Sequence, residues 1–241
     1  MKFKKAMFPG LFTLFNMFAG FFAVVEIYHG MYQTAIWLIF FAAVFDGLDG
    51  KLARFIGGSS DFGVEFDSFA DLISFCLAPS FLVYRLYALD LGVLGVIISF
   101  FPLMFGSIRL ARFNIQTFEK PIPYFIGLPT PMNAISLISF PLYNFAVNSN
   151  PGNAKIFLPF MVCLSFLMVS HVPYTKMPKW SFRINSGNTI RLIGLLICIS
   201  LLLIFGAKIL LLLTILFNLA GIVRWMAGVE QDDEIAEPIT K

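Results

Sequence analysis

Charge is what this chain has least of. Only 13% of its 241 residues are charged while 59% are hydrophobic, whereas an ordinary soluble domain carries about 25% charged residues. A water-soluble fold is excluded on that ground. Histidine and cysteine are nearly absent, with two of the first and three of the second. Cys76, Cys163 and Cys198 each lie inside an apolar run, without CxxC spacing and without a histidine nearby to complete a zinc site. They read as small packing residues. There is no basic run interleaved with aromatics, and a formal net charge of +3 is modest, so nucleic acid is not an expected partner. The first apolar run follows Lys2, Lys4 and Lys5, but it is too long for a signal peptide and no small-x-small cleavage site follows it. It is read as a retained first helix. No repeat of fixed period is visible.

Apolar sequence, by contrast, is plentiful. A helix of about 20 residues crosses a ~30 Å hydrocarbon core, and apolar windows between turn signals give eight such spans. They lie near 8–27, 31–54, 63–87, 91–112, 128–147, 155–171, 190–206 and 208–227. The expected fold is all-α, a polytopic membrane helix bundle forming one domain over 1–241. Eight spans put both termini on one side. Arg85, Lys155 and Lys208 fall on the opposite side, and every other lysine and arginine falls with the termini. Basic residues concentrate on the cytoplasmic side of membrane proteins, so cytoplasmic termini and a multi-pass location in the cell (inner) membrane are expected. The segment 172–189 reads as a basic, Pro-containing cytoplasmic loop lying near the lipid surface, and 229–241 as an acidic tail.

The few acids stand where acids are costly. A carboxylate near the centre of a membrane helix costs at least ~2.5 kcal/mol, which makes a functional reading the default. Asp46, Asp49, Gly50 and Ala53 stand at i, i+3, i+4 and i+7, on one face of the second helix. Gly63, Asp67 and Asp71 stand at i, i+4 and i+8, on one face of the third. Four carboxylates brought together would repel unless protonated or bridged by cations. Oxygen-only ligands favour a hard ion such as Mg2+ or Mn2+, and four acids leave room for two. Two such ions suit phosphoryl transfer, with one carboxylate left to take a proton from an attacking hydroxyl. Gly50, Ala53 and Gly63 admit either a close helix crossing or a ligand against the backbone. Arg54 either pairs with an acid or binds ligand phosphate.

The run DGLDGKLAR, eight residues, then GVEFDSFAD resembles the D-x2-D-G-x2-A-R-x8-G-x3-D-x3-D signature of the CDP-alcohol phosphotransferases, matching all its fixed positions. The resemblance implies that Asp46, Asp49, Asp67 and Asp71 are metal-site carboxylates and that Asp71 is the general base. It implies that Gly50, Ala53, Arg54 and Gly63 line the cytidine diphosphate site, and that CMP leaves when an acceptor hydroxyl attacks the lipid-side phosphorus. Thr13 and Asn16 match a T-x-x-N segment that lines the nucleotide in similar proteins, or else they bond a neighbouring helix. The opening PGLFTLFNMFAGFFAVV, RLARFN at Arg109 to Asn114 and FIGLPTP at Phe125 to Pro131 resemble the bacterial phosphatidylserine synthases of that superfamily. CDP-diacylglycerol and L-serine are the substrates this implies, and a homodimer is the usual assembly among such proteins.

Arg109 and Arg112, beside Asn114, are candidate ligands for a lipid phosphate or an acceptor carboxylate, or simple positive-inside anchors. Asn133 is a weaker candidate. Two rival readings remain. The same chemistry with glycerol 3-phosphate or inositol phosphate calls for further basic residues around the acceptor. A cation transporter calls for acids near the midplane and corresponding halves, which the sequence does not show.

Overall fold

The computed structural model describes residues 2–56, 61–117, 124–175 and 186–228, with side chains over 10–48, 62–115, 124–175 and most of 189–228. Each expected span falls on one helical stretch. These are α1 (Lys2–Tyr28), α2 (Tyr32–Ile56), α3 (Phe62–Leu91), α4 (Val93–Ser99 and, past a bend at Phe100, Phe101–Thr117), α5 (Thr130–Asn148), α6 (Ala154–Val169), α7 (Ser186–Phe205) and α8 (Ala207–Met226). Gly10–Tyr28, α3, Val93–Ile115 and α8 are long and apolar enough to cross a membrane, and Tyr32–Leu48, α6 and Leu192–Leu202 are shorter apolar helices. Phe18, Phe21, Phe62, Val93, Ile156 and Ile204 point outward, as side chains solvated by lipid do. The chain is a polytopic membrane helix bundle.

Two features were not expected. Residues 172–189 are not loop throughout: β2 (Pro173–Thr175) pairs antiparallel with β1 (Tyr124–Ile126), and α7 already begins at Ser186. The expected basic loop otherwise falls on residues outside those described, as does the acidic tail. The third helix is also irregular, widening into π turns over Leu72–Leu77 and again over Tyr84–Ala88. Such turns commonly accompany functional sites, and the first begins immediately after Asp71.

Short connections make successive helices antiparallel. The α1–α2 turn shows how: Gly30, at φ +80°, takes a left-handed conformation that costs glycine little, and its N–H and that of Met31 reach back to Ile27 and Glu26. Ala19, Ala23 and Ile27 on α1 then pack on Ala35, Ile36, Ile39 and Ala42 of α2, the i, i+4 stripe of one helix meeting that of the next. With alternating directions, the C-terminal ends of α2 and α4 and the N-terminal ends of α1, α3 and α5 gather at one end of the bundle.

Helix α3 is the centre of the assembly, in contact with α1, α2, α4 and α5. On one side Gly20 of α1 is so close to Ser74 that an added Cβ would stand 2.6 Å from the Ser74 Cα. On another, a Cβ on Gly106 of α4 would stand 2.3 Å from the buried Cys76 sulfur. Ser74 also donates a 2.8 Å hydrogen bond to the Asn16 carbonyl. At the back, α5 and α8 are joined by Ser139–Thr214 (3.1 Å) and by Asn218 donating to Ser136 (3.1 Å), contacts worth about 0.6–1.7 kcal/mol in membrane bundles.

Gly106→Val is expected to destabilise the protein by about 1–3 kcal/mol through overpacking against Cys76, seen as a lower melting temperature in detergent. Gly194→Ala, whose added Cβ meets nothing within 4 Å, is expected to leave that temperature unchanged or slightly raised.

Candidate active site

The spacing of Asp67 and Asp71, one turn apart on α3, sets both carboxylates on the face that meets α2, and Asp46 comes across from α2. One oxygen from each lies within 4.8 Å of the others. Asp71 is buried, and Asp46 and Asp67 are half-buried. At an effective dielectric of about 20, two unit charges at that separation repel by roughly 3 kcal/mol, and three pairs do so here. That repulsion is relieved either by protonation or by positive charge among the acids. A donor set made only of carboxylate oxygens matches a hard divalent ion, so the residues present fit the metal site that the sequence suggested.

Neighbouring elements hold Asp71 in place. Asn16, fully buried on α1, donates from Nδ2 to Asp71 Oδ1 at 3.3 Å. Its backbone carbonyl is in turn fixed by Ser74, one turn further along α3. Thr13, one turn earlier on α1, is buried beside it. Thus the T-x-x-N pair does sit at this end of the bundle, and Asn16 reaches the acidic cluster itself. Gly63 lies on the same face of α3, half-buried. Asp49, Gly50, Ala53 and Arg54 continue α2 beyond Asp46, but their side chains lie outside the described residues.

The two arginines of α4 part company. Arg109 turns inward: it is buried, its Nη1 lies 3.5 Å from Thr130 Oγ1 and its guanidinium stands 5.9 Å from the Phe125 ring centre. Its charge also acts on Asp71. Arg112 turns away and donates to the Val169 carbonyl at 3.1 Å, closing the C-terminal end of α6, where a cation complements the helix dipole. Asn114 is occupied as well. Ser68 donates to its Oδ1 at 3.0 Å and its Nδ2 donates to Glu65 at 3.3 Å, which locks α4 to α3 beside a shallow groove lined by Phe69, Leu72 and Leu110. Of the three residues suggested for the acceptor, the structure brings Arg109 alone against the Asp71 neighbourhood. Thr130, which Arg109 reaches, and Asn133, the weaker candidate of the sequence, are both buried in the first turns of α5. The Pro129–Thr130–Pro131 sequence that starts α5 was the available signal for Thr130.

Comparison with known proteins shows which family the chain belongs to. A model of the CDP-alcohol phosphatidyltransferase family matches residues 6–167, the whole segment from α1 into α6. This chain belongs to that family. Three phosphatidyltransferase relatives, each named CDP-diacylglycerol–serine O-phosphatidyltransferase, show how far the likeness extends. The Helicobacter pylori protein is 36% identical over 91% of either chain. The Bacillus subtilis protein is 33% identical over 71% of this chain and 91% of its own, and the Methanocaldococcus jannaschii protein is 30% identical over 90% and 92%. The likeness thus runs well past Pro131, where the motifs recognised in the sequence end.

If the acids form a metal site, Asp67→Asn has opposite effects with and without metal. In chelator it relieves repulsion, and the variant is expected to melt no lower than wild type. In millimolar Mn2+ wild type is expected to gain stability and the variant to gain little, as differential scanning fluorimetry in detergent will show.

Proposed function

We propose that this protein transfers the phosphatidyl group of CDP-diacylglycerol to the hydroxyl of L-serine, giving phosphatidylserine and CMP. The observation that carries the reading is the meeting of Asp46, Asp67 and Asp71 at one end of the bundle in a chain that shares 36% identity over nine-tenths of its length with a protein named for this reaction. We read residues 1–241 as one membrane domain. The site end of the bundle is the cytoplasmic end, because Arg85, Lys155 and Lys208 all stand at the opposite helix ends. A homodimer is the assembly we assign by likeness to the family.

The residues divide the work between two substrates. Asp46, Asp49, Asp67 and Asp71 would hold the metal, one or two ions of Mg2+ or Mn2+. When bound, such ions neutralise charge on the pyrophosphate of the CDP-lipid. By likeness to the family, Gly50, Ala53, Arg54 and Gly63 would serve the nucleotide, as would Thr13 and Asn16 of α1. Asn16 donates to Asp71 Oδ1, which orients the carboxylate and leaves its other oxygen to accept a proton. The serine hydroxyl loses its proton to that oxygen as its own oxygen bonds the lipid-side phosphorus. The bond from that phosphorus to the bridging oxygen breaks, and CMP departs with the electron pair. Arg109, buried and next to Asp71, holds the serine carboxylate so that the hydroxyl reaches the base.

Arg112 and Asn114 take no part in this reading. Their side chains serve α6 and α3, and their substitution acts through helix packing. A phosphorylated acceptor would bring at least one further negative charge to the same place, and Arg109 is the one described cation buried there. That favours serine over glycerol 3-phosphate or inositol phosphate.

Purified protein in detergent with CDP-diacylglycerol and Mn2+ is expected to release CMP when serine is added and not when glycerol 3-phosphate or inositol phosphate replaces it. Asp71→Asn is expected to lower kcat by about 10^2–10^4. Release with another acceptor would correct the substrate, and release from Asp71→Asn at the wild-type rate would remove Asp71 as base.

A further inference from the structure

Asn133 is fully buried in the first turns of α5, yet neither its amide nitrogen nor its amide oxygen has a hydrogen-bond partner among the described residues. Among the described residues it is the one side chain with two separate buried polar atoms left unmatched. Because both atoms are unmatched, the observation holds whichever way the amide is turned. Buried polar groups are almost always paired, and an exception asks for a cause. The next polar residues along the same helix meet the rule. Ser136 and Ser139 bond their own helix and α8.

The surroundings indicate what Asn133 is for. One turn before it, Thr130 is the residue approached by Arg109 Nη1, and Arg109 Nε is likewise buried without a partner. Arg109 in turn acts on Asp71. Three unmatched groups thus gather about the Thr130 turn: an N–H of Arg109, which reaches Thr130, and one N–H donor and one carbonyl acceptor of Asn133, one turn further along α5. A fully ionised phosphate group offers that acceptor no proton, whereas an α-amino acid needs donors for its carboxylate and an acceptor for its ammonium. We propose that Asn133 reads the acceptor as an amino acid, its amide oxygen accepting from the α-ammonium while its nitrogen donates to the carboxylate beside Arg109 Nε. The inference rests on the serine reading above and assigns a specificity-determining residue to it.

The test uses the full chain in detergent with saturating CDP-diacylglycerol and Mn2+. Asn133→Ala and Asn133→Leu are expected to raise the serine KM about 10- to 100-fold, as for loss of hydrogen bonds to charged groups, with the CDP-diacylglycerol KM unchanged. Asn133→Leu is further expected to melt no lower than wild type, since it removes two unmatched polar atoms, so the loss is not one of folding. In wild type, independent of any variant, L-alanine is expected to compete with serine at least about 10-fold better than propanoate or ethylamine, each of which lacks one of the two charged groups. An unchanged serine KM in both variants, or equal competition by the three analogues, would overturn this inference while leaving the serine reading standing. Turnover of glycerol 3-phosphate in place of serine would overturn the serine reading and this inference together.

Discussion

Oxygens of Asp46, Asp67 and Asp71 within 4.8 Å of one another repel, and the bundle must hold them there. It does so by fixing the backbone behind them. Ser74, one turn past Asp71, is wedged against Gly20 and bonded to the Asn16 carbonyl, while the Asn16 amide turns to Asp71 itself. On the opposite side Cys76 sits against Gly106 of α4. These contacts leave α3 little room to rotate or withdraw its acids. The π turns that begin at Leu72 give the helix the extra residue by which the acidic segment and the packed segment can each face its own neighbour. The repulsion that remains would favour a bound cation.

The acceptor side is built by a different rule. Where the acids crowd one another, Arg109 Nε and both amide atoms of Asn133 are buried without a partner among the described residues, which is what the proposed acceptor would satisfy. In the proposed reading the acids would hold the metal, and Arg109, which reaches the first turn of α5 at Thr130, would receive the acceptor with Asn133.

Much of this was legible in the sequence. Apolar windows located all eight helices, because a lipid-exposed helix must be apolar over most of its length and its ends are marked by Gly, Pro and charge. The i, i+4 spacing of Asp67 and Asp71, and the position of Asp46 near the end of the preceding helix, were enough to predict that these acids meet, since few residues separate the two helices in the sequence. The fates of Arg109 and Arg112 were not legible. Three residues apart on one helix, they diverge because one finds Thr130 and the other the end of α6, a matter of tertiary packing that spacing does not encode. The β1–β2 pair escaped notice because two three-residue strands carry no periodic signal. Asn133 stood out only once burial showed that it had no partner.

The most direct test of the account is a crystal structure of the protein with Mn2+ and its anomalous signal. The account predicts density for one or two ions at ligand distance from Asp46, Asp67 and Asp71, at a Mn2+ concentration that supports CMP release. Ions bound elsewhere, or turnover with no ion among these three carboxylates, would contradict it.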